Sequence, residues 1–264
     1  MQRIGIIGFG NMGSSIARGL RAADGKLGLS VIEPNGAARN QAVSEFGATD
    51  YTDDPERCFT DSDVVILAIK PQDLEGAADR LRPYSAGAAM ISVLAGTTIR
   101  RVADLLGTEQ VARFMPSLAA SVGRSLVGVA FGPEADSRLR RNAFTAAAAI
   151  GTPLEVPEHL MAAVTGVSGS GLAYAFSFAH ALAMGGVATG LKYDDALHAA
   201  IAVLEGASAV LKSTGEHPQV LTSKVSSPGG TTIRGLTALE RGAFTATVID
   251  AVREAAARAS ELEG

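Results

Sequence analysis

Apolar residues follow two rhythms along the chain. In the first half they fall in short runs of strand length, at Arg3 to Ile7, Ser30 to Ile32, Val64 to Ile69, Ala89 to Leu94, Val111 to Phe114 and Val127 to Phe131. Runs this short and this apolar suit strands buried on both faces. Between the early runs, apolar residues return at helical spacing over Met12 to Ala23, Ala37 to Phe46 and Leu74 to Leu81. The alternation predicts βαβ units on a parallel, doubly wound sheet.

The rhythm changes at "GTPLEVPEH", where glycine and two prolines punctuate Gly151 to Pro157 and no strand-like run follows. Helical spacing then predicts helices over Glu158 to Gly166, Ser170 to Thr189, Tyr193 to Ser213, Pro218 to Val225, a glycine-led segment near Ile233, and Ala243 to Leu262. The fold class expected is α/β, with an N-terminal Rossmann-type doubly wound sheet over residues 1–156 and an all-α domain over 157–264. Alanine-rich helices with few aromatics bury little area singly, so a homo-oligomer is expected. The uncharged stretch Gly171 to Leu191 is long enough to span a bilayer. Its Ala and Gly content, with Ser177 and His180 inside, instead predicts a helix buried on all sides within protein.

Composition narrows the picture further. A chain of 264 residues that is 47% hydrophobic and 19% charged is folded rather than disordered. Net charge −4 and the absence of a dense Lys/Arg cluster argue against nucleic acid as a partner. The single cysteine, Cys58, excludes an internal disulfide and offers no metal-binding spacing, so no metal is expected. No leader-like segment precedes the first strand, and the expected location is the cytoplasm, without membrane attachment.

The chemistry begins at "GIIGFGNMG", where Gly8, Gly10 and Gly13 stand in GxGxxG order between a strand and a helix. Gly8 suits a tight turn, Gly10 close backbone approach to a pyrophosphate, and Gly13 helix-to-sheet contact; Phe9 lies within this loop, and the N–H groups of Asn11 and Met12 face the anion. Glu33 follows at the end of the second strand, where the fold places an acid for the adenosine ribose. A carboxylate there repels a 2′-phosphate, so NADH is slightly favoured over NADPH, with Arg39 nearby as the feature that could serve a phosphate. Ala68, Ile69, Lys70 and Pro71 end the next strand, and Ala95, Gly96, Met115, Pro116 and Ser117 end the two after it. All of these are candidates to line the cofactor crevice.

"VSSPGGTTIRGLTALE" poses a separate problem, because two glycines, Gly229 and Gly230, stand where a helix begins. Each costs a helix about 1 kcal/mol. Either something lies against that backbone, or the glycines serve only a tight turn.

Taken together, "GIIGFGNMG", "AIKPQ", "AAVTGVSGSGLAYAF", "GGVATGL", "HPQVLTSKVSSPGGTTIRGLTALE" and "AFTATVIDAV" resemble the pyrroline-5-carboxylate reductase family, in the family's order from Ile4 to Leu262. The resemblance implies a Rossmann domain followed by a helical substrate-binding and dimerisation domain, a homodimer that can assemble into rings, and reduction of 1-pyrroline-5-carboxylate to L-proline by NAD(P)H. It also implies that Ser227, Gly229, Gly230, Thr231 and Thr232 bind the substrate: the free N–H groups of Gly229, Gly230 and Thr231 converge on its carboxylate, Ser227 caps the helix or contacts the ligand, and the Thr232 hydroxyl hydrogen-bonds the ring nitrogen as the catalytic contact. Where the family has Met-Pro-Asn-Thr-Pro, this chain has Met115-Pro116-Ser117-Leu118-Ala119. Leu172 stands in place of a proline, and His180 and Met184 replace acidic residues. Two alternatives therefore remain open: reduction of another cyclic imino acid, such as a piperideine carboxylate, and a non-catalytic dinucleotide sensor. A β-hydroxyacid dehydrogenase would need Lys followed four residues later by Asn, whereas Lys192, Lys212 and Lys224 are followed by Ala196, Glu216 and Pro228.

Overall fold

Each apolar run of the first half becomes a strand of one sheet. The computed structural model describes residues 1–263. In chain order the elements are β1 (Arg3–Ile7), α1 (Asn11–Ala23), β2 (Gly28–Ile32), α2 (Gly36–Phe46), β3 (Thr49–Asp50), α3 (Pro55–Thr60), β4 (Val64–Leu67), α4 (Leu74–Ser85), β5 (Met90–Ser92), α5 (Ile99–Leu106), β6 (Val111–Met115), β7 (Ser125–Phe131), α6 (Ser137–Ile150), β8 (Gly151–Glu155) and α7 (Met161–Val164). The helical region continues as α8 (Gly171–Ala188), α9 (Tyr193–Thr214), α10 (Pro218–Lys224), α11 (Thr231–Arg241) and α12 (Phe244–Glu261).

The sheet order is β3-β2-β1-β4-β5-β6-β7-β8, with every neighbouring pair parallel except β6 and β7. Strand side chains alternate between two apolar layers. Ile4, Ile6, Val64, Ile66, Ile91 and Phe114 face one layer with α1 and α6. Ile7, Val65, Leu67, Met90, Val111 and Met115 face the other, with α4 and α5. Burial on both faces is why these strands read as unbroken apolar runs. The order reverses between β1 and β4, so a crevice opens beyond their carboxyl ends.

Among the elements that spacing did not predict are β8, α3 and α5. β8 contains Gly151 and Pro153, which read as chain punctuation, yet it pairs in parallel with β7 and places Val127 opposite Pro153. As the last strand of the sheet it tolerates a residue without an N–H. α3 and α5 are six and eight residues long, too short to carry a clear helical period.

The compact units are Met1–Ser170 with the residues from Arg253 on, and Gly171–Val252. Met161 and Val164 belong to the apolar layer under the sheet, within the first unit. A π-helical turn, Thr165–Gly169, stands where the sequence predicted a break before the next helix. In the second unit, α8 and α9 pack closely at Gly186, where a Cβ would lie 2.8 Å from that of Ala196. Within one chain α8 is not buried all round: only Ala179 and Ala183 are buried, while Phe176, Leu182 and Met184 are exposed.

Candidate active site

The glycine loop after β1 meets the end of β4. Gly8 has φ +91°, in the left-handed region that side chains rarely adopt, and a Cβ there would lie 2.7 Å from the carbonyl oxygen of Ala68 and 2.9 Å from the Ile69 side chain. A Cβ on Gly13 would sit 2.2 Å from the Gly8 carbonyl oxygen, so the start of α1 presses onto the loop. Gly10 is different, because nothing lies within 4 Å of where its Cβ would be. It caps α1 without a side-chain acceptor, and Asn11 and Met12 follow, exposed and half-buried. The helix thus begins with bare donors beside open space, the setting in which a helix start can take an anion.

Glu33 is placed at the predicted strand end, with more to do than expected. Its Oε2 accepts the Phe9 N–H at 2.6 Å and its Oε1 accepts the Asn35 N–H at 2.7 Å, with the residue 8% exposed. The carboxylate therefore braces the phosphate loop, whatever it offers a ribose through its remaining lone pairs. Phe9 is buried and meets Phe46 edge-on, which holds the loop from the other side. Arg39 is already paired with Asp50 at 3.6 Å.

Of the other cofactor candidates, Ala68 and Ile69 touch the Gly8 turn, while Lys70 and Pro71 are exposed at the start of a 3₁₀ turn, Pro71–Asp73. Ala95, Gly96 and Met115 line a 230 Å³ cavity that also includes Arg113, Thr165 and Leu262. Ser117 is not among its lining residues. It is 7% exposed, its N–H donates to Ser125 Oγ at 2.9 Å, and the two hydroxyls lie 3.3 Å apart. Arg113 was missed by sequence reasoning, although a lone charge inside "VARFM" was a visible signal. Cys58 is fully buried, and burial pushes its thiol up to about 11, so it is no nucleophile.

The second glycine pair, in the other unit, departs from expectation. Gly229 and Gly230 precede α11 rather than occupying its first turn, so no helix propensity is lost on them. Gly229 has φ +68°, and a Cβ on Gly230 would lie 2.3 Å from Ser227 Oγ. The turn itself therefore requires glycine at the first position and favours it at the second. The Gly230 N–H donates to the Ser227 carbonyl at 3.1 Å, so of the amides expected to converge on a carboxylate it is already engaged. Ser227 does not cap the helix. Gly230 is the N-cap with no side-chain acceptor, and Thr231 and Thr232 follow it, both exposed. What remains is a second helix start with uncapped amides and two hydroxyls beside them.

Comparison with known proteins matches both halves. Residues 158–262 fit the family model described as pyrroline-5-carboxylate reductase dimerisation, and residues 3–96 fit the one described as NADP oxidoreductase coenzyme F420-dependent. A pyrroline-5-carboxylate reductase of Arabidopsis thaliana is 37% identical over 98% of this chain and 95% of its own length. One from Synechocystis sp. is 38% identical over 98% of each. The solved structure of a pyrroline-5-carboxylate reductase from Coxiella burnetii superposes with a TM-score of 0.90 at 27% identity, covering 99% of this chain and 98% of that one. With likeness at this level running from end to end, the chain belongs to the pyrroline-5-carboxylate reductase family.

Proposed function

We propose that this protein reduces 1-pyrroline-5-carboxylate to L-proline, the last step of proline biosynthesis, with NADH or NADPH as the reductant. The observation that carries the reading is the pair of helix starts bounded by glycine and left without a side-chain cap, one after β1 and one at α11. A dinucleotide sensor has use for only one. The first suits a dinucleotide phosphate, and the second suits a small carboxylate.

The Gly10–Met12 turn would hold the pyrophosphate, and Ala95 and Met115 would line the nicotinamide end. A nicotinamide bound there supplies hydride to the imine carbon. On the substrate side, the Thr231 and Thr232 amides attract the carboxylate to the positive helix end. The Thr232 hydroxyl hydrogen-bonds the ring nitrogen, which carries a proton while the C=N carbon accepts hydride. Orientation and electrostatics then do most of the catalysis.

Between cofactors, the Glu33 carboxylate favours NADH, since Arg39 is engaged by Asp50. The exposed apolar side chains of α8, α9 and α12, among them Phe176, Ile201 and Ile249, support a homodimer. The setting is cytoplasmic, with no part for a membrane or nucleic acid.

Three measurements test this reading. The purified protein is expected to oxidise NADH or NADPH when given 1-pyrroline-5-carboxylate; no turnover with either removes the reading, and faster turnover of a six-membered imino acid redirects it. Thr232→Ala is expected to lower kcat about tenfold or more, the worth of one charge-assisted hydrogen bond, with cofactor Kd unchanged. Glu33→Gln loses the acceptor facing one loop amide, so NADH binding should weaken by roughly tenfold. NADPH should weaken less, because the repulsion of its 2′-phosphate is relieved at the same time; unchanged NADH affinity would show that Glu33 supports nothing.

A further inference from the structure

Arg113 is a charge within an apolar strand. It stands in β6 between Val111 and Met115, with its side chain 1% exposed. A guanidinium taken out of water is tolerable only when paired. Its Nη1 meets Glu158 Oε1 at 3.3 Å, and its Nη2 meets Glu263 Oε1 at 2.5 Å. Glu158 Oε1 also accepts the N–H of Ile99, the first residue of α5, at 2.7 Å. The Arg113 Nε is buried and makes no hydrogen bond among the described residues.

The segment carrying Glu263 is received a second way. Leu262 rests on Gly96, where a Cβ would lie 2.7 Å from Leu262 Cβ and 2.9 Å from its carbonyl oxygen. Gly96 also has φ +65°, so the turn after β5 is shaped for that contact in two respects. Arg113, Gly96 and Leu262 then line the same 230 Å³ cavity as Ala95 and Met115.

We infer that Glu263, acting through Arg113, is a positioning residue for the nicotinamide end of the dinucleotide. The ion pair clasps Leu262 onto Gly96 and thereby fixes one wall of the cavity against Ala95 and Met115. Glu158 holds the opposite side of the same guanidinium and ties it to the start of α5. Hydride transfer depends on the orientation of the ring, so a wall that drifts weakens binding of that end alone. This inference rests on the reductase reading for the identity of the ligand.

Titration of wild type, Glu263→Gln, Glu263→Asp and Leu262→Gly with NADH, NADPH and ADP-ribose decides it, because ADP-ribose lacks the nicotinamide. Glu263→Gln is expected to weaken the preferred nicotinamide cofactor about tenfold, in line with loss of a charge-assisted bond, and to leave ADP-ribose unchanged. Glu263→Asp should restore most of the loss. Leu262→Gly, at a half-exposed position and removing the Cβ that rests on Gly96, should reproduce it. Equal weakening of ADP-ribose and the full cofactor would mark general damage and overturn the clasp, as would no change in either. The readout is binding rather than turnover, so a protein that reduces no imino acid overturns the reductase reading while the same titration still decides the clasp.

Discussion

The first amides of a helix have no partner inside it, and in this protein α1 and α11 each begin on a glycine, with no side chain to take those amides. That unmet demand organises the rest. At α1, three glycines serve it in different ways: Gly8 turns the chain against Ala68, Gly13 lets the helix close on the loop, and Gly10 leaves the approach open. At α11, Gly229 supplies a left-handed residue and Gly230 ends the turn, so that Thr231 and Thr232 present amide and hydroxyl together. An anion at such an end completes hydrogen bonds that water would otherwise complete less favourably.

Around these donors the fold supplies rigidity. Strands buried on both faces fix the carboxyl ends of β1 and β4, and the Glu33 carboxylate carries that rigidity into the loop through Phe9 and Asn35. On the other side of the reversal point, β6 spends a buried arginine on two glutamates instead of an apolar contact. A buried ion pair of this kind is a weak source of stability. Its place on the cavity wall is easier to understand as a matter of geometry. The helical unit has a different economy, since small residues bring α8 and α9 together while much of its apolar surface is left uncovered in a single chain.

What was legible in the sequence follows the same physics. β1 and β4 announced themselves because double-sided burial leaves their apolar runs uninterrupted, and α1 because a glycine loop and an amphipathic face adjoin. β8 did not, since an edge strand can carry Pro153 and then looks like a linker. Glu33 was found by position, but the bond it accepts from the Phe9 amide depends on a loop 24 residues away. The glycines before α11 were noticed for a helix cost they do not incur; their φ value and the closeness of Ser227 became visible only in three dimensions. Arg113 joins partners 45 and 150 residues distant, a separation that no periodicity records.

The most direct measurement is a crystal structure of the protein with L-proline and an oxidised nicotinamide dinucleotide. It should place a carboxylate oxygen about 3 Å from the Thr231 or Thr232 amide nitrogen, and the Thr232 hydroxyl at similar range from the ring nitrogen. Proline bound elsewhere, with the start of α11 facing only water, would contradict the account.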